Sequence, residues 1–373
     1  MNDDLLPLRI VRIITEIPGP PDVRTLVLEP LDGQPVPYRA GQFLTFVLHL
    51  SGHEVRRSYS LSSAPGVDAP GVDAPGRYAG AVDATLRVTI KRVENGAVSR
   101  YLLDHVRVGD VLTTLRPAGR FILDEPPAAG RNLVLIGAGS GITPLFSLLQ
   151  QVLYHEPNSH VTLLYANAHE QSVIFAEALN ALQTQFADRF GLIHLLSRPQ
   201  SDTPRLRGQV RTGRLNNTLL HYLLPQLTGN EPATAQFYLC GPFAFMRLVL
   251  ITLTFAGIRP AQIRKETFVI PPVTAPPPPT LSTPHRIRLR TRTADYAIDV
   301  PAQQTILQAA LDHGLSLPYS CRGGRCSTCA ARCTAGRVYM TINDVLTERD
   351  LADGWILTCT AYPETDGVVI ETV

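Results

Sequence analysis

The chain has 373 residues, of which 45% are hydrophobic and 18% are charged, and its formal net charge is +2. A chain of this length and composition can bury a large core and is expected to divide into two or three domains. The small net charge argues against nucleic acid, an anionic membrane or a polyanion as the main partner.

The amino terminus is acidic where a signal peptide would be basic, and the longest apolar run, residues 248–258, is too short to span a bilayer. These features predict a cytoplasmic protein. In a reducing compartment, cysteines crowded into one loop indicate metal ligands rather than a disulfide framework.

The order of short apolar segments predicts three units and one linker. Residues 1–128 alternate apolar and polar positions between Gly, Pro and Asp, which is typical of a small antiparallel β-barrel. Residues 129–270 alternate apolar strands with helical patterns and predict a parallel α/β domain. Residues 271–284 are rich in proline and predict an extended spacer. Residues 285–373 predict an α+β unit, and a tandem PGVDA repeat at 65–76 reads as a surface insertion.

The stretch RRSYSLSS, residues 56–63, places an arginine, an aromatic ring and hydroxyls close together in the barrel. Such a strand can present a cation to a phosphate and a ring face to a planar cofactor. The pattern alone is also common on solvated strand faces. Gly96 and Ser99 follow in NGAVSRYL, where they begin a predicted helix whose free amides can bind a phosphate.

The stretch VLIGAGSGITP, residues 134–144, runs from an apolar strand through a glycine turn into a helix. The geometry predicts a phosphate cradle. The Rossmann fingerprint is not matched, because G-x-G-x-x-G would need a glycine where Ile142 stands.

The cysteines of the last unit follow the spacing C-x4-C-x2-C, with a remote fourth member. They are Cys321, Cys326, Cys329 and Cys359. This spacing matches the plant-type ferredoxin pattern, in which four thiolates hold a [2Fe-2S] cluster. A structural zinc site is the alternative, although zinc sites usually show two C-x2-C knuckles. Cys333 is left over and is not predicted to be a ligand.

Taken in this order, the motifs resemble the ferredoxin-NADP reductase superfamily over essentially the whole chain. The matching residues are Arg57, Tyr59, Ser60 and Ser63 in its R-x-Y-S-x-x-S flavin motif, Gly96 and Ser99 in its flavin-phosphate motif, Gly137, Gly139, Gly141, Thr143 and Pro144 in its nicotinamide loop, and Cys240, Gly241 and Pro242 in its C-G-P motif. The ferredoxin module is similar to that of fused oxygenase reductases, most of all the phenylacetate-type monooxygenase reductases. The expected fold is therefore a flavin-binding β-barrel, an NAD(P)-binding α/β domain and a C-terminal β-grasp ferredoxin domain.

The resemblance also implies roles for single residues. Tyr59 is expected to stack on the isoalloxazine of FAD, Arg57 to pair with a phosphate, and Ser60 to lie near the reactive flavin edge. Glu266 and Phe268 are expected to close the same pocket. Cys240 is expected beside the nicotinamide. The alternative is that Cys240 packs at the end of a strand and Phe268 is a core residue, but the functional roles are favoured.

Residues near the predicted nicotinamide site bear on the choice between NADPH and NADH. Ala168 stands where the family often has an arginine, which removes one contact to the cofactor. Ser197 and Arg198 resemble residues that grip the 2'-phosphate of NADP, and Arg205 and Arg207 lie nearby in the sequence. An arginine is the expected partner of that phosphate, so NADPH is favoured over NADH.

The cofactors together imply electron transfer. A nicotinamide gives up two electrons as a hydride, a [2Fe-2S] cluster accepts one electron, and a flavin must therefore stand between them. The expected acceptor is a separate oxygenase. A desaturase or another soluble metalloprotein is the nearer alternative, and a non-catalytic nucleotide-binding module with a structural zinc site is the distant one.

Overall fold

The structure is a computed structural model that describes residues 5–19, 22–67, 85–200, 206–268, 283–291 and 294–372. Most of the predicted linker, residues 271–282, lies outside the described residues. The same holds for residues 68–76 of the tandem repeat and for Arg205.

The first unit is an antiparallel sheet that closes on itself. Its elements are β1 Leu5–Ile17, β2 Val23–Pro30, β3 Phe43–Leu50, β4 His53–Ser60, β5 Leu86–Lys91, α1 Ala97–Asp104 and β6 Val111–Leu115. The strand order is β4-β3-β6-β1-β2-β5, and a bridge between Leu61 and Val88 joins the two ends. The first half of β1 alternates exposed and buried side chains, as a half-buried strand requires. The predicted antiparallel barrel is confirmed.

The second unit is a parallel sheet covered by helices. Its elements are β7 Asn132–Ala138, α2 Ile142–His155, β8 His160–Asn167, α3 Ala176–Gln185, β9 Phe190–Leu196, β10 Gln209–Thr212, α4 Asn217–Leu227, β11 Gln236–Cys240, α5 Phe243–Phe255 and β12 Ile263–Glu266. The strand order β10-β9-β8-β7-β11-β12 changes direction beside β7. In open parallel sheets such a switch point opens a crevice at the carboxyl ends of the strands, where ligands bind. The predicted α/β domain is confirmed.

Alternate residues of β7 point to the two helical layers of this unit. Leu133 and Leu135 pack with α2 and α3 on one face, and Val134 and Ile136 pack with α4 and α5 on the other. This two-sided burial explains why the strand is apolar without alternation. Of the helices in the described ranges, including α5 with its apolar run, none has the length and hydropathy needed to cross a membrane.

The third unit is a mixed sheet with a helix packed on it. Its elements are β13 His285–Arg290, β14 Asp295–Val300, α6 Ile306–Asp312, β15 Ala330–Ala335, β16 Val338–Met340, α7 Glu348–Ala352, β17 Trp355–Leu357, β18 Ala361–Pro363 and β19 Val369–Thr372. The sheet order is β14-β13-β19-β15-β17, with β13 parallel to β19, while β16 pairs with β18. Side chains of α6 such as Ile306 and Ala310 share a core with the sheet. The predicted β-grasp unit is confirmed.

Candidate functional site

Strand β4 carries the predicted flavin motif at the edge of the barrel. Arg57 is exposed, whereas Tyr59 is half-buried and packs edge-on against Phe46, with ring centres 5.7 Å apart. Burial raises the pKa of Tyr59 to about 12, so its hydroxyl stays neutral. The strand therefore offers a cation and a partly covered aromatic ring on the same face.

Three predicted residues from different elements meet where the barrel touches the parallel sheet. The buried Ser60 hydroxyl donates a hydrogen bond of 2.8 Å to the carboxylate of Glu266 at the end of β12. Glu266 pairs in register with Cys240 on β11, and Cys240 pairs with Gly137 on β7. A hydroxyl, a carboxyl and a thiol are thus gathered at the switch point of the sheet.

The electrostatics of this group follow from its burial. Desolvation raises the pKa of Glu266 to about 7, and the Ser60 hydrogen bond opposes that shift. Desolvation, and then the nearby Glu266 carboxylate, raise the pKa of the Cys240 thiol well above its usual range. Glu266 can therefore exchange a proton near neutral pH, whereas Cys240 stays a neutral thiol.

The glycine loop between β7 and α2 passes very close to the end of β11. A methyl group at Gly141 would lie 2.2 Å from the carbonyl oxygen of Cys240, which no side chain can tolerate. Gly139 has φ +54°, in the left-handed region that favours glycine. The loop is tied down by the Thr143 hydroxyl, which donates to the carbonyl of Ser140 at 3.1 Å.

Lys91 at the end of β5 faces this loop, and the sequence motifs did not identify it. A methyl group at Gly139 would lie 3.8 Å from the Lys91 ammonium. Burial lowers the pKa of Lys91. The barrel thus directs a partly desolvated cation at the loop that the sequence predicts to be a phosphate cradle.

The predicted flavin-phosphate motif lies at the start of α1. Gly96 is the residue that precedes the first helical turn, and Ser99 is buried within that turn. The Ser99 hydroxyl donates to the Gly96 carbonyl and accepts from the Val93 amide, both at 3.2 Å. Ser99 therefore shapes the loop, and phosphate binding there stays a prediction.

Ser63 lies at the junction of the barrel and the parallel sheet. Its hydroxyl accepts hydrogen bonds from Tyr38 at 2.8 Å and from the Arg87 amide at 3.2 Å. Its carbonyl accepts a hydrogen bond from Ser147 on α2 at 2.5 Å. These bonds fasten the segment after β4, the strand that carries the predicted flavin motif and is called the flavin strand below, to α2 of the second unit.

The residues predicted to select NADPH follow the ends of β8 and β9. Backbone hydrogen bonds join Ser197 to Asn167 at 3.0 Å and Arg198 to Ala168 at 2.7 Å. Arg198 and Arg207 are exposed. The two loops thus lie side by side at the carboxyl edge of the sheet, with an arginine side chain reaching solvent.

The remaining predicted residues lie next to these. Gly241 packs closely on Ala138, and Pro242 precedes the first turn of α5, so the C-G-P motif joins β11 to that helix. Pro144 is buried in the first turn of α2. Phe268 is exposed at 42% and follows Glu266 by two residues.

The cysteines of the third unit form two adjacent pairs. Cys321 and Cys326 hydrogen-bond to each other, which lowers the pKa of Cys321 and raises that of Cys326. Cys329 and Cys359 likewise hydrogen-bond to each other, which raises the pKa of Cys329. The nearby charge of Cys321 raises the same pKa further. The fold thereby brings Cys359, which is remote in sequence, next to the three cysteines of the loop.

Two adjacent pairs of thiols are what two irons, each held by two thiolates, would need. Backbone amides also face the sulfurs, since the Cys321 amide lies 3.5 Å from Cys326 Sγ and the Gly323 amide lies 3.4 Å from Cys321 Sγ. Such contacts tune iron–sulfur clusters. In the part of the chain that the structure describes, no group of three or more Cys, His, Asp or Glu side chains is arranged around a single metal position.

Cys333 does not belong to the cysteine site. It lies on β15, and its thiol donates to the carbonyl of Ala335 at 3.3 Å. All six cysteines of the sequence are free thiols.

Comparison with known families supports two of the three units. The family described as "2Fe-2S iron-sulfur cluster binding domain" matches residues 292–364. The family described as "Oxidoreductase NAD-binding domain" matches residues 135–250. The first match covers all four paired cysteines, and the second covers the glycine loop and the C-G-P motif.

Individual proteins match over nearly the whole chain. The ferredoxin reductase component of 3-ketosteroid-9-alpha-monooxygenase from Mycobacterium tuberculosis is 31% identical over 99% of this chain and 96% of its own length. A component of the 1,2-phenylacetyl-CoA epoxidase from Escherichia coli is 31% identical over 90% of this chain and 88% of its own. The solved structure of phthalate dioxygenase reductase shares the fold, with a TM-score of 0.56 at 22% identity over 99% of this chain and 98% of that one.

The shared length includes the barrel, the parallel sheet and the cysteine unit in the same order. The chain belongs to the ferredoxin-NADP reductase superfamily, in the branch that carries a C-terminal plant-type [2Fe-2S] domain and includes the reductase components of monooxygenases.

Proposed function

We propose that this chain is an NAD(P)H-dependent reductase that passes electrons through FAD and a [2Fe-2S] cluster to a partner oxygenase. The observation that carries the proposal is the contact between β4 and the cysteine loop. Ser58, next to the predicted flavin residue Tyr59, donates a hydrogen bond of 3.1 Å to Ser320, next to Cys321. The flavin strand and the cluster loop therefore touch.

The cofactors supply the redox chemistry, and the chain positions them. A bound flavin accepts two electrons from NAD(P)H together and releases them singly to a [2Fe-2S] cluster, which a nicotinamide cannot do directly. For each NAD(P)H oxidised to NAD(P)⁺ with release of one proton, two one-electron acceptors are reduced. The oxygenase as acceptor is suggested by the monooxygenase and epoxidase names of the relatives.

On this proposal the residues of the junction serve the nicotinamide and the flavin edge. Ser60, Cys240 and Glu266 line the place where the two cofactors meet, and the Ser60–Glu266 hydrogen bond holds the carboxyl toward the barrel. The tight approach of Gly141 to Cys240 packs the glycine loop directly against the end of β11 and leaves no room for a side chain between them. Phe268 covers the pocket from the end of the second domain.

The flavin is held by the barrel. Tyr59 would hold its ring system, and Arg57 would pair with its phosphate, since an exposed arginine makes strong charge-assisted hydrogen bonds to such groups. Ser63 would shape the backbone around it through the hydrogen bond from the Arg87 amide, and Ser99 through its hydrogen bond to the Gly96 carbonyl. The two cysteine pairs would hold the cluster through their four thiolates.

NADPH is the proposed donor. The exposed Arg198 lies beside Ser197 at the carboxyl edge of the sheet, where the 2'-phosphate of a dinucleotide bound at the switch point would come. Lys91 is proposed to face the pyrophosphate at the glycine loop. Arg207 is exposed nearby and adds positive charge.

The proposed domain boundaries follow the elements. A flavin domain covers residues 1–128, a nicotinamide domain 129–270, a proline-rich linker 271–284 and a ferredoxin domain 285–373. We further propose that the protein works in the cytoplasm, which the free thiols favour.

The proposal is tested with two acceptors. With NADPH, ferricyanide takes electrons directly from a flavin, whereas cytochrome c takes them from an exposed cluster. The holoprotein is expected to reduce both, and Cys359→Ser is expected to keep ferricyanide reduction and lose most cytochrome c reduction. Equal cytochrome c reduction by Cys359→Ser and the wild type would contradict the proposed route.

A further inference from the structure

Arg120 of the barrel contacts the ferredoxin domain away from the cysteine loop, and this is the first of three contacts with that domain. Arg120, in the segment after β6, donates a hydrogen bond to the carboxylate of Asp350 on α7. Its guanidinium also lies over the ring of Trp355, 4.1 Å from the ring centre. Trp355 is the one tryptophan of the sequence.

Both partners of Arg120 are fixed within the ferredoxin domain. Asp350 is 3% exposed and accepts hydrogen bonds from the amide and hydroxyl of Thr347 at the start of α7. Trp355 is the first residue of β17. That strand leads directly to Cys359, the remote cluster ligand. Arg120 therefore holds the segment that delivers the fourth cysteine.

The second contact holds the segment that delivers the first cysteine. The Arg56 guanidinium lies 3.9 Å from the centre of the Tyr319 ring, and the Arg322 guanidinium lies 4.2 Å from the same centre. Arg56 also donates to the Tyr319 carbonyl at 3.4 Å. Tyr319 and Ser320 immediately precede Cys321, and Arg56 immediately precedes the predicted flavin residue Arg57.

A third contact joins all three domains at one carboxylate. Asp124, which follows the barrel, pairs with Arg264 of β12 at 3.0 Å and with Arg349 of α7 at 3.5 Å. Asp124 and Arg349 are largely exposed, so this bridge alone contributes little. The buried Asp350 is different, because a desolvated carboxylate depends strongly on its cationic partner.

One side of the cysteine site stays open to solvent while the barrel is docked. Cys321 and Cys326 are partly exposed, whereas Cys329 and Cys359 are buried. The barrel contacts Tyr319 and Ser320 on that open side. The barrel therefore borders the exposed cysteines without covering them.

We propose that Arg120 is a positioning residue for electron transfer within this chain. Its ion pair with Asp350 and its stack on Trp355 keep the ferredoxin domain docked on the flavin strand, where the cluster takes electrons one at a time from the reduced flavin. This inference rests on the proposed function, and it assigns a residue that takes no part in binding either cofactor.

The test separates the two electron-transfer steps in anaerobic stopped-flow mixing of the holoprotein with NADPH. The variants are Arg120→Ala, Arg120→Lys and, as the matched control, Arg288→Ala, an exposed arginine on β13. Flavin reduction is expected to keep its wild-type rate in all three. Cluster reduction is expected to slow on the order of tenfold in Arg120→Ala, because a charge-assisted contact that favours the docked state is lost.

Arg120→Lys is expected to slow cluster reduction less, since lysine keeps the charge for Asp350 but cannot stack its plane on Trp355. Trp355 fluorescence reports on the Arg120 contact itself. General destabilisation of a distant core would not change its emission. Emission is expected to shift to the red in Arg120→Ala as the ring becomes hydrated, and to stay unchanged in Arg288→Ala.

The outcomes are distinguishable. Wild-type cluster reduction with unchanged Trp355 emission in Arg120→Ala would overturn the positioning role. If Arg120→Ala lost its cluster, the test would be made with Arg120→Lys. A wild-type rate of cluster reduction in Arg120→Lys would likewise overturn the positioning role. Failure of the wild-type protein to reduce its cluster with NADPH would instead refute the proposed function.

Discussion

Ser60 and Glu266 belong to different domains, and a hydrogen bond of 2.8 Å joins the serine hydroxyl to the carboxylate. The bond ties the end of the flavin strand to the end of β12, beside the buried Cys240 thiol. It places a group that titrates near neutrality at the meeting point of the two domains.

The first prediction concerns the pH dependence of stability. The pKa of Glu266 is raised from 4.5 to about 7, so the folded state holds a proton that the unfolded state has already released. This contribution to stability is complete below pH 4.5 and is lost as pH rises through about 7. Glu266→Gln stays neutral throughout. Its free energy of unfolding, relative to the wild type, is expected to rise across that window by about 3 kcal/mol, at about 1.4 kcal/mol for each pKa unit.

Denaturant unfolding of the two proteins at several pH values measures this difference. A constant difference from acid to alkaline pH would mean that Glu266 has an ordinary pKa. In the same variant, the rate of flavin reduction by NADPH is expected to lose a pH step near neutrality.

The second prediction concerns the glycine loop. Gly141→Ala places a methyl group against the Cys240 carbonyl, so either β11 or the loop must shift. The KM for NADPH is expected to rise about tenfold or more, since misplacement of a binding loop is costly. Gly191→Ala is the control in the same sheet, because its methyl group meets only Thr162 at 3.3 Å. Equal KM values for the two variants would contradict the phosphate cradle.

The third prediction concerns Lys91. Lys91→Met removes the cation that faces the loop while keeping a side chain of similar length. The KM for NADPH is expected to rise several-fold to about tenfold with kcat little changed, because one charge-assisted contact to the cofactor is lost. Lys265→Met, at an exposed position on β12, serves as the control. A fall in kcat at constant KM would place Lys91 in a different role.

The fourth prediction concerns coenzyme choice. Arg198→Ala removes the arginine proposed to face the 2'-phosphate. The KM for NADPH is expected to rise about tenfold, because a charge-assisted hydrogen bond is lost, while the KM for NADH changes little. Steady-state kinetics with both donors gives the comparison within one protein. An equal effect on both would show that Arg198 does not distinguish them.

The fifth prediction separates ligand from bystander cysteines. Cys326→Ser is expected to lose the cluster and its EPR signal while the flavin spectrum remains, since the variant breaks one thiolate pair. Cys333→Ser is expected to keep both, because its thiol bonds to the backbone carbonyls of Ala335 and Gly336 and to no other cysteine. Metal analysis and EPR of the two purified variants decide the matter, and loss of the cluster in Cys333→Ser would reassign the ligands.

Much of this architecture could be read from local patterns. Alternation in β1 and the glycine turn after β7 have local causes, and each predicted its element. The spacing of Cys321, Cys326 and Cys329 also has a local cause, because one loop must curl around the site. Cys359 could be identified as the fourth cysteine of the site only because its spacing from the others resembles a known pattern.

Some contacts between domains have no local pattern in the sequence. Arg120 and Asp350 are 230 residues apart, and neither lies in a motif. Lys91 shares its strand with other polar residues, and only the fold shows that it faces Gly139. Tertiary pairing of this kind has no periodicity, so sequence reasoning could not find it.

The most direct test of the electron-transfer account is an anaerobic titration of the purified protein with NADPH, followed by visible absorption and by low-temperature EPR at the end point. The account predicts bleaching of a flavin band and a one-electron [2Fe-2S] signal. A colourless, EPR-silent protein that contains zinc would contradict it.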